Sequence, residues 1–295
     1  MIPGEYARSG RITSEVRARV KEFVKPGTGY LEACRFVEEE ISSRKGAPAF
    51  PVGIGVNHVT AHYSPQEKEA SVFKESDLVK VDFGVHVDGY VTDTAVSVTF
   101  NPSYEPMLEA SERALGVAIA ALRKEQRAGE IGREIRKEVA RLGFKTIENL
   151  TGHTVDRYQV HAGKSIPNLY VPGMQALRKG DVFAIEPFVT PAGAAGYVVD
   201  APLTTIFSVV ARKRIGTKEL DAFVDKVWEE RKTLPFTPRW YPDDLGGGKL
   251  DSVLGKLVAK KVVRSYPTLV EASGNPVAQF EHTVALTEGG PVVLT

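Results

Sequence analysis

The stretch Val79 to Phe100, VKVDFGVHVDGYVTDTAVSVTF, alternates apolar and polar residues from end to end, with Asp88-Gly89 near its middle. Period-two alternation across an Asp-Gly predicts a β-hairpin. Asp82 lies in one arm and Asp93 in the other. A turn at Val87-Asp88 would set the two acids directly opposite each other. A turn at Asp88-Gly89 would make them diagonal neighbours on the same face. Either register brings two carboxylates together, which destabilises a sheet and raises one pKa unless a cation intervenes. The hairpin alone leaves two readings open: solvated acids on a wet face, or half of a metal site.

Composition narrows the surroundings. A chain of 295 residues can bury a sizeable core, and a formal net charge of +1 does not mark nucleic acid as the main partner. Cys34 is the only cysteine, so there is no disulfide framework and no thiolate metal cluster. It sits in a helical pattern, LEACRFVEEE, where a buried structural thiol is expected. No apolar run reaches the roughly 20 residues that span a bilayer. The N-terminal MIPGEYARSGRITSEV lacks the apolar core of a signal peptide, so a cytoplasmic location is expected. Asn and Gln are scarce, which points to a heat-adapted source.

The order of elements repeats. Helix patterns over Ile12–Val24 and Tyr30–Ser43 precede a strand-like run from Phe50 to Val56, the segment carrying His58 and His62, and then the hairpin. Helix patterns over Glu109–Gln126 and Ile131–Leu142 precede an extended segment with Gly152-His153 and His161, and then VFAIE. Setting KESDLVKVDF beside RKGDVFAIEP aligns Asp77 with Asp181 and Asp82 with Glu186, and His62 and His161 fall at a similar separation. This predicts two copies of a helix–helix–strand–hairpin unit in one pseudo-symmetric domain, with Asp82 and Glu186 converging on a central site. A strand at Ala201–Val210 would close the second copy. From residue 211 to about 271 the sequence is charged, basic on balance and helical in pattern, with a Pro-rich break, LPFTPRWYPDDLGGG. Strand material then resumes, which makes 211–271 an insertion between 1–210 and 272–295.

Five residues stand out as a constellation: Asp82, Asp93, His153, Glu186 and Glu281. Glu186 and Glu281 each lie in an apolar run (VFAIEPF, AQFEHTVAL), where a carboxylate is costly unless paired or ligated. His58, His86 and His282 are assigned to structure or surface. Four carboxylates and an imidazole form a hard, oxygen-rich set, suited to one or two divalent ions such as Mn, Fe, Co or Zn. Two such ions can lower the pKa of a water and polarise a carbonyl, the setting for amide hydrolysis. Histidines outside the ligand set could steady an oxyanion.

The motifs VTAHY, KVDFGVHVDGYVTDTAV, LTGHTVDRY, VHAGKSIPN, FAIEPF and AQFEHT resemble those of the methionine aminopeptidases, in the type 2 form without an N-terminal extension found in archaea. The resemblance covers nearly the whole chain. It implies an α+β fold, the pseudo-two-fold "pita-bread" shared with creatinase and prolidase, with a helical insertion at about 211–271. It implies two divalent metal ions held by Asp82, Asp93, His153, Glu186 and Glu281, with Asp93 and Glu281 bridging and Glu186 shuttling a proton. His62 and His161 match the family histidines that contact substrate and stabilise the transition state. Phe50, His161 and Tyr266 would wall the methionine pocket. The implied substrate is the N-terminal Met of nascent polypeptides with a small second residue. His58, four residues before His62, departs from the family pattern.

Two alternatives compete with this. Prolidase and aminopeptidase P share the fold and ligands, but the insertion and the VTAHY and VHAG contexts favour the methionine enzyme. Non-catalytic relatives that bind ribosomes or nucleic acid have lost ligands, whereas all five positions are intact here. The basic insertion could still make a weak ribosome contact through Arg212, Lys213 and Arg214, which alanine replacement and ribosome co-sedimentation would test. Nothing demands an oligomer, so a monomer is expected. Gly246-Gly247-Gly248-Lys249 is not a phosphate loop: Leu250 follows, and no glycine lies at the required spacing.

Overall fold

The computed structural model describes residues 2–122, 127–242 and 250–295. The expected helix end at Gln126 and the glycine run at 246–249 lie outside the described residues. The first half of the repeat runs α1 (Gly4–Phe23), α2 (Tyr30–Ser43), β1 (Ala47–Pro48), β2 (Gly53–Val56), β3 (Val59–Ala61) and the hairpin β4 (Leu78–Val87) and β5 (Tyr90–Thr99). The second runs α3 (Glu105–Ala121), α4 (Ala128–Arg141), β6 (Phe144–Thr146), β7 (Thr151–Val155), β8 (Ser165–Pro167), β9 (Val182–Ile185), β10 (Phe188–Pro191) and β11 (Val198–Val209). After these come α5 (Lys218–Arg231), α6 (Leu250–Ala259), β12 (Val263–Glu271), β13 (Ala278–Gln279), β14 (Glu281–Thr287) and β15 (Gly290–Val293).

The hairpin turn is Asp88-Gly89, because Val87 pairs with Tyr90. Both turn residues have positive φ, +51° and +87°, the backbone of a type I′ turn, which Asp-Gly accommodates at little cost. The diagonal register is therefore the one adopted. The central sheet has the order β1-β4-β5-β14-β9-β7-β8, all antiparallel. The second copy does not close on its own strand: β9 takes its partner, β14, from the far end of the chain, while β11 joins a separate sheet with β12 and β3. The pseudo-symmetric pairs are thus β4–β5 and β9–β14. Helix α1 packs on β4 and β5, and α3 packs on β9 and β14. One core runs through both halves, including Val16, Val81, Val96, Ile135, Phe183 and Val284.

The structure departs from the sequence expectation in the following places, among others. Helix α1 starts at Gly4, not Ile12, because the buried positions of its first turns include Ser9 and Gly10, which give no hydrophobic period. Cys34 is fully buried in α2, as expected. In the 211–271 segment, α5 and α6 are helical, but residues 263–271 are strand β12. Pro267 interrupts its alternation, and the register shifts at Thr204 opposite it absorb the proline as a bulge. Helices α5 and α6 sit with β11 and β12 on a smaller core of their own, built on Phe207, Phe223, Phe236, Leu257 and Val263. Arg239 ties this unit to α2 through two 2.8 Å hydrogen bonds to Glu38.

Candidate metal centre and active site

Register alone brings the acids together. Asp82 pairs with Ala95, and Ala95 pairs on its other side with Glu281. Glu186 follows directly after β9, and continuing the β14–β9 register sets it beside Glu281. One row across four strands therefore carries Asp82, Glu281 and Glu186. Asp93 lies two residues from Ala95 on the same face. His153 pairs with Ala184, two residues from Glu186, and so joins from the other side. One ligand atom each from Asp93, His153 and Glu281 lie within 4.8 Å of one another. His153 Nε2 is 3.4 Å from Glu186 Oε1 and 3.7 Å from Asp93 Oδ2.

The electrostatics are those of buried acids crowded together. Burial raises Asp82 to about 7. Burial first, and then the neighbouring carboxylates, push Asp93, Glu186 and Glu281 well above the usual carboxylate range. Burial, reinforced by His161, holds His153 well below the usual imidazole range, so its contacts with Asp93 and Glu186 are not ion pairs. Among the described residues, no lysine or arginine donates a hydrogen bond to any of the four acids. Asp82 Oδ1, Asp93 Oδ1 and His153 Nδ1 are buried without a hydrogen-bond partner. Buried charge so arranged is stable only when neutralised, by protons or by metal. Oxygen-rich donors, orphaned lone pairs and mutual repulsion all suit divalent ions.

The five residues line a cavity of about 230 Å³, and so do His62, His161, Phe50 and Tyr266. The rings of His153 and His161 are 4.2 Å apart, and His62 meets Tyr266 edge-on at 5.8 Å. His62 has φ of +62°, a strained backbone for a residue with a side chain, and such strain clusters at functional sites. Burial, then His161, lowers its pKa to about 4; burial, then Arg264, lowers that of His161. Both imidazoles are therefore neutral near pH 7. His58 lies outside this cavity: it is exposed, and its carbonyl accepts the Glu271 N–H.

Residues 4–288 match metallopeptidase family M24. The chain is 39% identical over 288 residues to the methionine aminopeptidase of Pyrococcus horikoshii, an alignment covering 97% of each chain. The chain belongs to the methionine aminopeptidases of metallopeptidase family M24. Among solved structures it is similar to the methionine aminopeptidase of Thermotoga maritima, with a TM-score of 0.72, 24% identity and coverage of 100% of this chain and 98% of that one. It is also similar to a thermophilic Arx1, with a TM-score of 0.83, 19% identity and coverage of 100% and 91%. The fold is the α+β pita-bread that the motifs implied. Membership of a metallopeptidase family implies metal ions, and the buried Asp93–His153–Glu281 group is placed to hold one.

Several residues at the site were not singled out in the sequence. Gln279 donates to Glu281 Oε2 at 3.2 Å and also bonds Asp82. Thr283 Oγ1 accepts the Asp93 N–H at 2.7 Å and donates to the Asp93 carbonyl at 2.8 Å, gripping that residue's backbone. Both lie within two residues of Glu281, and a polar residue in an otherwise apolar strand was the available signal. Ile206 and Pro235 line the cavity with no such signal, because the chain brings them in from β11 and from the Pro-rich break.

Proposed function

We propose that this chain removes the N-terminal methionine from nascent proteins and peptides in the cytoplasm, acting as a monomer and hydrolysing the first peptide bond when the second residue is small. The observation that carries this is the convergence of four largely buried carboxylates, none bonded to a lysine or arginine among the described residues, and one neutral imidazole on a cavity that Phe50, Ile206, Phe188 and Tyr266 also line. Asp82, Asp93, His153, Glu186 and Glu281 would hold two divalent ions (Co, Mn, Fe or Zn). When bound, the ions supply Lewis acidity that activates a water and polarises the scissile carbonyl.

The chain's own residues do the rest. Phe50, Tyr266 and His161 wall the space for the methionine side chain. His62 and His161, neutral and desolvated, can donate hydrogen bonds to the carbonyl oxygen as negative charge develops there, which imidazolium in water would do far less selectively. Glu186, at the edge of the carboxylate row, accepts a proton from water and passes it to the leaving amine. Residues 211–271 form a type 2 insertion subdomain against 1–210 and 272–295 in this reading. A weak ribosome contact through Arg212, Lys213 and Arg214 belongs to it also, although Arg212 and Arg214 already pair with Asp225.

The test is release of Met from Met-Ala-Ser by metal-free and reconstituted protein, beside a Pro-containing peptide and the variants Glu186→Ala and Asp93→Ala. Activity should require added divalent ion and fall at least about a thousandfold in both variants. Full activity in either variant, or release without metal, would overturn the dinuclear site. Preference for the Pro-containing peptide would favour a prolidase-like enzyme.

A further inference from the structure

Two residues that line the cavity, Phe50 and Pro235, come from segments far apart in sequence, and one side chain joins those segments. Phe50 follows Pro48 and Ala49, and the Ala49 N–H donates to the Gly84 carbonyl at 2.8 Å, which pins this wall to β4. A Cβ at Gly84 would come within 2.4 Å of the Phe50 ring, so the ring lies directly on the residue that pairs with Asp93. Pro235 lines the same cavity, and its neighbour Phe236 exchanges backbone hydrogen bonds of 2.7 and 2.9 Å with Phe207, which pins that wall to β11.

The Arg231 guanidinium, at the end of α5, spans the two. Its Nη1 donates to the Pro48 carbonyl at 2.9 Å, and its Nη2 donates to the carbonyls of Ala49 at 3.1 Å and Pro235 at 2.8 Å. The Trp240 ring covers it at 4.7 Å, and the residue is only 8% exposed. Its hydrogen-bond acceptors among the described residues are main-chain carbonyls, not carboxylates. Both terminal nitrogens of this buried cation are hydrogen-bonded while its Nε is buried without a partner, and a planar fork fixes several acceptors in set directions as a flexible ammonium does not. Arg231 does not itself line the cavity, so it reaches the substrate only through its neighbours.

We propose that Arg231 is a positioning residue that sets the gap between Phe50 and Pro235, and thereby the selection of methionine's unbranched side chain over branched ones. This rests on the function proposed above, and the two are separable. The measurement is kcat/KM for Met-Ala-Ser and Leu-Ala-Ser with wild type, Arg231→Lys and Arg231→Met, alongside thermal midpoints and binding of free L-methionine and L-leucine. In the variants the Met-over-Leu ratio should fall about tenfold, the scale on which a pocket discriminates small changes in an apolar side chain. KM for the methionyl peptide should carry most of the change, and kcat little. Trp240→Leu, which keeps the three Arg231 hydrogen bonds but removes the stacking and the indole's bond to Glu38, should shift the ratio less and in the same direction.

A folded Arg231→Lys protein whose ratio stays within twofold of wild type would show that the residue serves stability alone and overturn the proposal. If Arg231→Lys fails to fold, an unchanged ratio in Trp240→Leu overturns it. If wild type releases no Met from Met-Ala-Ser, the proposed activity fails, and the binding preference for methionine over leucine decides the clamp.

Discussion

Glu271 and Glu281 lie ten residues apart in sequence, each on a strand, and each no more than 2% exposed. Their environments are opposite. Glu271 accepts the N–H groups of Gly196, Ser273 and Asn275 at 2.8 to 3.0 Å, and the Ser273 hydroxyl at 2.7 Å. Burial alone would raise its pKa, but these bonds, led by Ser273, outweigh it and lower the value. Glu281 accepts one bond, from Gln279, and otherwise faces Asp93, Glu186 and Asp82, so burial and repulsion raise it together. Burial does not decide whether a carboxylate is structural or functional; the partners that remain after folding do. A carboxylate whose lone pairs are met by backbone amides is finished. One whose neighbours are other carboxylates is suited to share a cation with them.

The comparison can be broken most forcefully at Glu281. Glu281→Gln should cut peptidase activity at least about a thousandfold, as expected when a group acting as part of a unit is lost. The metal-free variant should be at least as stable above pH 7 as metal-free wild type, since repulsion has been relieved. Steady-state kinetics and urea melts on the same preparations check both halves. A stability loss like that of a core mutation would mean that Glu281 is structural after all.

Glu271→Gln should do the reverse. Its amide nitrogen would face N–H donors, leaving buried groups unmade at a cost of about 2–4 kcal/mol. Activity per folded molecule should be retained. The loss has a predicted pH signature. Because the folded pKa is depressed, the wild-type carboxylate contributes fully above its unfolded value near 4.5 and loses that contribution as pH falls through the lower folded value. The two proteins should therefore converge in acid, and a difference that persists unchanged at pH 3 would argue against this account.

The smallest effect is a slope. In metal-free protein Asp82 titrates near 7 rather than 3.8, so the folded state holds a proton that the unfolded state has released. Stability should decline as pH rises through that window, with Asp93, Glu186 and Glu281 adding in the same direction. Bound metal would take the place of those protons. The gap in thermal midpoint between metal-loaded and chelated protein should widen from pH 4 to pH 7. A constant gap would mean that the acids are not neutralised by protons when metal is absent.

Much of this was legible in the chain. The Asp-Gly turn, the alternating arms and the repeated order of elements are local patterns, and local sterics enforce them whatever the rest of the molecule does. They were enough to expect two halves meeting at one site with Asp82 and Glu186 on it, while Glu281 was raised by its apolar run and the five-residue ligand set was what the family resemblance implied. They carried no account of Glu271, which lies in the segment read as helical although it too follows apolar residues. Nor could they show that β14 rather than β11 completes the second half, that residues 263–271 pair as a strand around a proline, or that Arg231 links Pro235 to the Phe50 wall.

By itself, then, the sequence determined the hairpin, the kinds of side chain available to bind metal and their order along the chain. The tertiary structure decided which of those groups meet an amide, which meet a carbonyl and which meet only one another. The physical reason is range. Alternation and turn geometry are fixed by neighbours a few residues away, whereas the energy of a buried charge depends on atoms that the chain brings from a hundred residues off.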